Sequence, residues 1–183
     1  MKFQIHTLET APKAARGMLE QIKSKYGFIP NLAGALAEAP PALGAYLAAY
    51  EKFEQGSLSD VERNVVLLAA SRGNECNYCV SAHSVVAAMH QVPGQAVEAV
   101  RNSQKIDDTR LEAIRAFTQK MVKNRGWVSE EDIGAFMDAG YSKAQVLEVI
   151  VGVMVKTLSN YANHIAKTPL DAAFEEQRWE PVS

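Results

Sequence analysis

The chain has 183 residues, 48% of them apolar and 22% charged, with 19 basic and 21 acidic side chains and a net charge of −2. A domain of that length buries roughly 70% of its unfolded surface, so it needs no disulfide or metal staple. Near-neutral charge without a basic cluster argues against nucleic acid or an anionic membrane as partner, and the longest apolar run, 149–155, is too short to span a bilayer.

The first residues, MKFQIHTLETAPKAARG, contain no apolar secretory core. The two cysteines are therefore expected in a reducing compartment, the cytoplasm, without a permanent disulfide. Helical periodicity runs through the chain and no alternating strand pattern appears, so the expected fold is all-α, one domain over 1–183.

In chain order, residues 11–25 place Ala15, Met18, Leu19 and Ile22 on one stripe, an amphipathic helix. Gly27 and Pro30 break it, and Asn31 is set to cap the next helix. Residues 40–55 begin with proline and stop at Gly56, the usual asymmetry of a helix. Ser59 with Glu62 three residues later reads as a capping box, opening a helix that runs to about Ser71 and ends near Gly73 and Asn74.

A second helix begins around Glu75 or Cys76 and reaches His90. Pro93 and Gly94 start the next element, and 107–123 is amphipathic again. Ser129 with Asp132, and then Ser142, are further N-caps. A long final helix comes after them and stops at Pro169, and the tail FEEQRWEPVS reads as loose or docked on a neighbour. The Ser59 pattern recurs around Ser142, and Asn77-Tyr78 recurs as Asn160-Tyr161 at the same offset, a faint echo of two similar halves.

The chemistry concentrates in NECNYCVSAH, which holds both cysteines. Spacings of three and four place Cys76, Cys79 and His83 on one helical face. A thiol in a first helical turn meets the positive end of the helix dipole, which favours thiolate. An imidazole one turn on can take the thiol proton, and a second thiol can close a disulfide after the first is oxidised. The same residues also fit a buried apolar pair, or a zinc site completed by His164 or His90, although closed zinc sites usually draw ligands from separate elements.

The segment LSDVERNVVLLAASRGNECNYCVSAHSVVAAMH resembles the core motif of the carboxymuconolactone decarboxylase/AhpD-like alkylhydroperoxidase superfamily. GFIPNLAGALAEAPPALGAYL and AQVLEVIVGVMVKTLSNYANHIAKTPLD resemble flanking parts of the same proteins, so the likeness spans about 26–174. It implies an all-helical AhpD-like fold assembled as a trimer or hexamer. The cysteine pair places the chain with the redox branch, a thiol-dependent peroxidase of hydroperoxides.

Carried over by position, Cys79 is the peroxide-attacking thiol, Cys76 the resolving thiol and His83 the base. The family's relay glutamate lies twelve residues before the first cysteine, where this chain has Asn64, an amide that cannot take a proton. Glu62 is turned about 200° away on the same helix. Glu75 and Glu148 are other acid candidates, and a carboxylate at Glu75 would raise the Cys76 pKa.

His164 fits a helix C-terminus or a pocket position, and His90 fits helix-end stabilisation. Tyr78 points away from the thiol stripe, toward packing or the pocket rim. Trp127 and Trp179 read as packing or subunit contacts, and Val146, Val149, Ile150 and Val153 as core or oligomer interface. No flavin, nicotinamide or phosphate-binding motif is present, so no cofactor is expected and electrons must come from a dithiol, a lipoyl group or a thioredoxin-like partner. The alternatives are a thiol–disulfide oxidoreductase, or a redox sensor with little peroxidase turnover.

Overall fold

Capping chemistry sets most helix ends. In a computed structural model that describes residues 3–181, nine α-helices and a closing 3-10 turn make up the regular structure among the described residues. They are α1 (Lys13–Tyr26), α2 (Asn31–Leu36), α3 (Pro40–Glu54), α4 (Asp60–Gly73), α5 (Asn77–Met89), α6 (Gly94–Arg101), α7 (Thr109–Lys123), α8 (Glu130–Asp138) and α9 (Lys143–Ala166), with the turn at Ala172–Gln177. Ser59, Ser129 and Ser142 each open a helix through a reciprocal capping box, with Glu62, Asp132 and Gln145 respectively.

Helix α4 is the central element. Its run from Asn64 to Ser71 is buried without a break, as expected of a helix that is packed on every side. It packs against α3, α5, α6, α7 and α9. Around it one apolar cluster gathers α6, α7, α8 and parts of α9; a second gathers α1, α2, Leu43 and the thiol end of α5. Gly152 lets α9 approach closely, since a Cβ there would lie 2.7 Å from Val66 and 2.8 Å from Phe53.

The passage from α4 to α5 is a Schellman turn. The Cys76 N–H donates to Ser71 O (3.0 Å) and the Glu75 N–H to Arg72 O (3.1 Å), with Glu75 left-handed at φ 53°. Glycine usually fills that position, and here a glutamate fills it instead, not Gly73. The turn delivers Cys76 directly to the N-cap of α5 and Cys79 to its first turn.

Three expectations need correction. Asn31 is not a cap: it is the first residue of α2, and its N–H donates to the distant carboxylate of Asp171 at 3.1 Å. The tail is not loose. Phe174 and Trp179 are buried, and the Trp179 N–H donates to Ser81 Oγ at 2.9 Å, so the segment closes over α5 of its own chain. The echo between Ser59 and Ser142 extends to the capping boxes only, because α9 runs on unbroken where the chain turns between α4 and α5.

Candidate functional site

Both cysteines are free thiols and lie in the interior, Cys76 at 0% and Cys79 at 1% exposure. They are met by α9, one of whose faces carries Lys156, Ser159, Asn160 and Asn163, all buried. Positions three, four and seven apart share a helical face, so these side chains form a polar stripe inside an otherwise apolar packing surface. Asn163 Nδ2 donates to Cys79 Sγ at 3.2 Å and approaches Cys76 Sγ at 3.9 Å. Asn160 is held by the α4–α5 turn, its Oδ1 accepting from Asn74 Nδ2 at 2.9 Å.

The two thiols are electrostatically unequal. Burial opposes charge on Cys79, but the hydrogen bond from Cys76, the positive charge of Lys156 and the Asn163 amide outweigh it and push its pKa down. Cys76 moves the other way: its hydrogen bond to Cys79 holds the proton, and burial and the neighbouring thiolate add to the rise. One thiolate and one thiol share the site, with the negative charge on Cys79. The rise at Cys76 does not come from Glu75, whose side chain is exposed.

His83 is buried, and Lys156 Nζ lies 2.8 Å from its Nε2. Burial, and then the charge of Lys156, push the His83 pKa well down, so the ring is neutral near pH 7. Its Nδ1 is buried without a hydrogen-bond partner. Asn64 is also buried; its Nδ2 donates to Asp60 O at 2.8 Å and its Oδ1 has no partner.

The remaining sequence candidates lie elsewhere. Glu148 accepts from the Ser57 and Leu58 N–H groups at 2.9 and 3.0 Å, fixing the turn into α4. A Cβ on Gly56 would lie 2.8 Å from that carboxylate, which is why the turn carries glycine there. His164 is exposed beside Tyr161 and does not face the thiols. His90 is the exposed C-cap of α5, 3.8 Å from Asp60.

Tyr78 is a structural tie: its hydroxyl donates to Asp171 and accepts from the Leu32 N–H, joining α5, α2 and the tail. Among the described residues no group of three or more His, Cys, Asp or Glu side chains is placed to hold a metal ion. Nor is any helix there long and apolar enough to cross a membrane.

Sequence reasoning missed Lys156 and the two asparagines. The signal was present: a lysine and two asparagines at i, i+4 and i+7 in the apolar run of α9.

Residues 35–119, which contain α4 and the whole thiol-bearing helix, match the model of the carboxymuconolactone decarboxylase family. Over that segment the chain is similar to the carboxymuconolactone decarboxylase family, and its all-helical fold is AhpD-like. Among solved structures, the fold is similar to an alkylhydroperoxidase AhpD core, a peroxidase-related protein from Ralstonia eutropha JMP134. That likeness has 23% identity and a TM-score of 0.84 and covers 98% of this chain and 97% of that one.

A peroxidase-related protein from Silicibacter sp. TM1040 is similar at 20% identity, with 95% of each chain covered and a TM-score of 0.79. A Cys-to-Ala variant of the debrominase Bmp8, in complex with 2,3,4-tribromopyrrole, is similar at 17% identity over 97% of this chain and 95% of that one, with a TM-score of 0.81. Among curated proteins, no relative matches the sequence. The superfamily's AhpD-like fold is thus common to proteins described by different activities.

Proposed function

We propose that this protein is a thiol-dependent peroxidase that reduces hydroperoxides through a Cys76–Cys79 disulfide cycle. The observation that carries the reading is the asymmetry of the pair: Cys79 is held as thiolate beside Lys156 and Asn163, and Cys76 is held as thiol against it. The Cys79 thiolate attacks the terminal peroxide oxygen and becomes a sulfenic acid. The Cys76 thiol condenses with it, expelling water, and an external dithiol, a lipoyl group or a thioredoxin-like protein reduces the resulting disulfide. Three-residue spacing at the start of a helix suits such a bond.

This reading changes the part given to His83. A neutral ring already bonded to a cation is a poor acceptor for a thiol proton, and the thiolate is stabilised instead by Cys76, Lys156 and Asn163. Asn64 supplies no proton relay. We place the protein in the cytoplasm, where the dithiol state is maintained. We also infer a homo-oligomer, trimer or hexamer, built on the outer stripe of α9, where Leu147, Ile150, Met154, Tyr161 and Ile165 are exposed on one face.

Peroxide consumption in excess dithiothreitol tests the cycle. Wild type should turn over, Cys79→Ser should be inactive, and Cys76→Ser treated with peroxide without dithiol should stop at a trappable sulfenic acid. No turnover with disulfide formation intact would favour a thiol–disulfide oxidoreductase or redox sensor. The deep burial of both sulfurs favours that second reading wherever a partner protein opens the site.

A further inference from the structure

We propose that Lys156 is the proton source for the leaving oxygen of the peroxide, delivered through the two ring nitrogens of His83. The inference rests on the peroxidase reading above and supplies the acid that Asn64 cannot. Lys156 is 1% exposed on α9, and the one hydrogen-bond partner of its Nζ among the described residues is His83. Burying an ammonium without a carboxylate is costly, so a lysine kept there calls for a role beyond packing.

The titratable groups facing it are the neutral His83, Cys79 and Cys76, all from α5 and its N-cap. Asn160 and Asn163, its neighbours on α9, are amides and release no proton.

An ammonium donating to Nε2 fixes the imidazole tautomer with its hydrogen on Nδ1. That N–H is the buried donor left without a partner. His83 sits on α5 one turn beyond Cys79 and on the same face, so an oxidant that reaches the thiolate meets the ring as well. A buried donor without an acceptor, next to a nucleophile, is where an acceptor is created during the reaction.

Cys79–S⁻ attacks the terminal oxygen of ROOH, the S–O bond forms and the O–O bond breaks, with sulfur oxidised by the electron pair that the peroxide gains. The alkoxide RO⁻ takes the Nδ1 proton as Lys156 passes its own proton to Nε2. The products are Cys79–SOH, ROH and a neutral Lys156 amine. Condensation with Cys76–SH releases water. The external dithiol then returns two protons, one to Cys76 and one to His83 Nδ1, whose Nε2 hands its own back to Lys156, with Cys79 leaving as thiolate. The buried site thus never carries net charge, which a low-dielectric interior favours.

The test is the single-turnover oxidation of Cys79 in Cys76→Ser protein by tert-butyl hydroperoxide and by peracetic acid. Each rate is divided by the thiolate fraction read at 240 nm. A tert-butoxide leaving group needs a proton and acetate does not. Lys156→Met should slow the alkyl hydroperoxide about 100-fold, in the range of general acid catalysis, while leaving the peracid rate nearly unchanged. His83→Gln should give the same split and keeps the test available should Lys156→Met fail to fold. Equal slowing of both oxidants would overturn the relay and leave the peroxidase standing. A wild type inert to both would remove the peroxidase reading, and the relay with it.

Discussion

Lys156 Nζ on α9 and His83 Nε2 on α5 lie 2.8 Å apart in the interior, separated by most of the second half of the sequence. Both belong to the buried polar patch that meets the two thiols.

The first consequence is a pH dependence of stability. The folded Cys79 pKa lies below that of an unfolded thiol, so its stabilisation is complete above the unfolded value, about 8.5, and is lost as pH falls through the folded value. His83 is also depressed, so the unfolded chain gains a proton that the folded one refuses once pH drops below about 6.5. The signs agree. Urea midpoints of the reduced protein should fall from pH 8 to pH 5.5, and Cys79→Ser with His83→Gln should flatten the trend.

Asn163→Ala removes the amide donor shared by the two sulfurs. A hydrogen bond to a charged acceptor contributes about 1.5–3 kcal/mol, so the Cys79 thiolate titration should move upward by about one to two pH units. Absorbance at 240 nm against pH would measure it. An unmoved titration would place the control of that thiol in Cys76 and Lys156.

Glu148→Gln separates structure from chemistry. Its carboxylate is occupied by Ser57 and Leu58, so the substitution should cost about 1–2 kcal/mol of stability by thermal denaturation and leave peroxide turnover unchanged.

Gly152→Ala tests the packing of α9 on α4. The added methyl meets Val66 and Phe53 well inside contact distance, and overpacking of that kind costs about 1–3 kcal/mol. A lowered Tm is expected, with Cys79 still ionising as in wild type.

Met154→Glu places a charge in the middle of the exposed α9 stripe. Sedimentation should show the variant dissociating into smaller species, with helix content retained. An unchanged assembly would move the interface elsewhere.

Much of this molecule is legible in its sequence. Helix starts at Ser59, Ser129 and Ser142 are local events written in four residues, and the three-residue spacing of the cysteines brings their thiols together. What cannot be read is the surface lying opposite. Lys156 passes unnoticed in its apolar run until α9 is laid across α5, and its effect on His83 depends on that crossing. Glu148 reads as an acid in reserve, yet its carboxylate is used by backbone N–H groups of a turn far away in sequence. The tail misleads for the same reason: Phe174 and Trp179 are apolar enough to dock, but only the tertiary fold shows that they dock on α5 of the same chain.

The seat of Trp179 has an optical consequence. Its indole N–H donates to Arg101 O at 3.2 Å, the Arg72 guanidinium lies 4.9 Å from its ring, and the chain's other tryptophan, Trp127, is 87% exposed. The two fluorophores therefore emit from opposite surroundings, Trp127 in the red and Trp179 in the blue. Because Trp179 is pinned to Ser81, two residues past Cys79, the blue component is a built-in gauge of how the thiol-bearing helix sits, readable without any label.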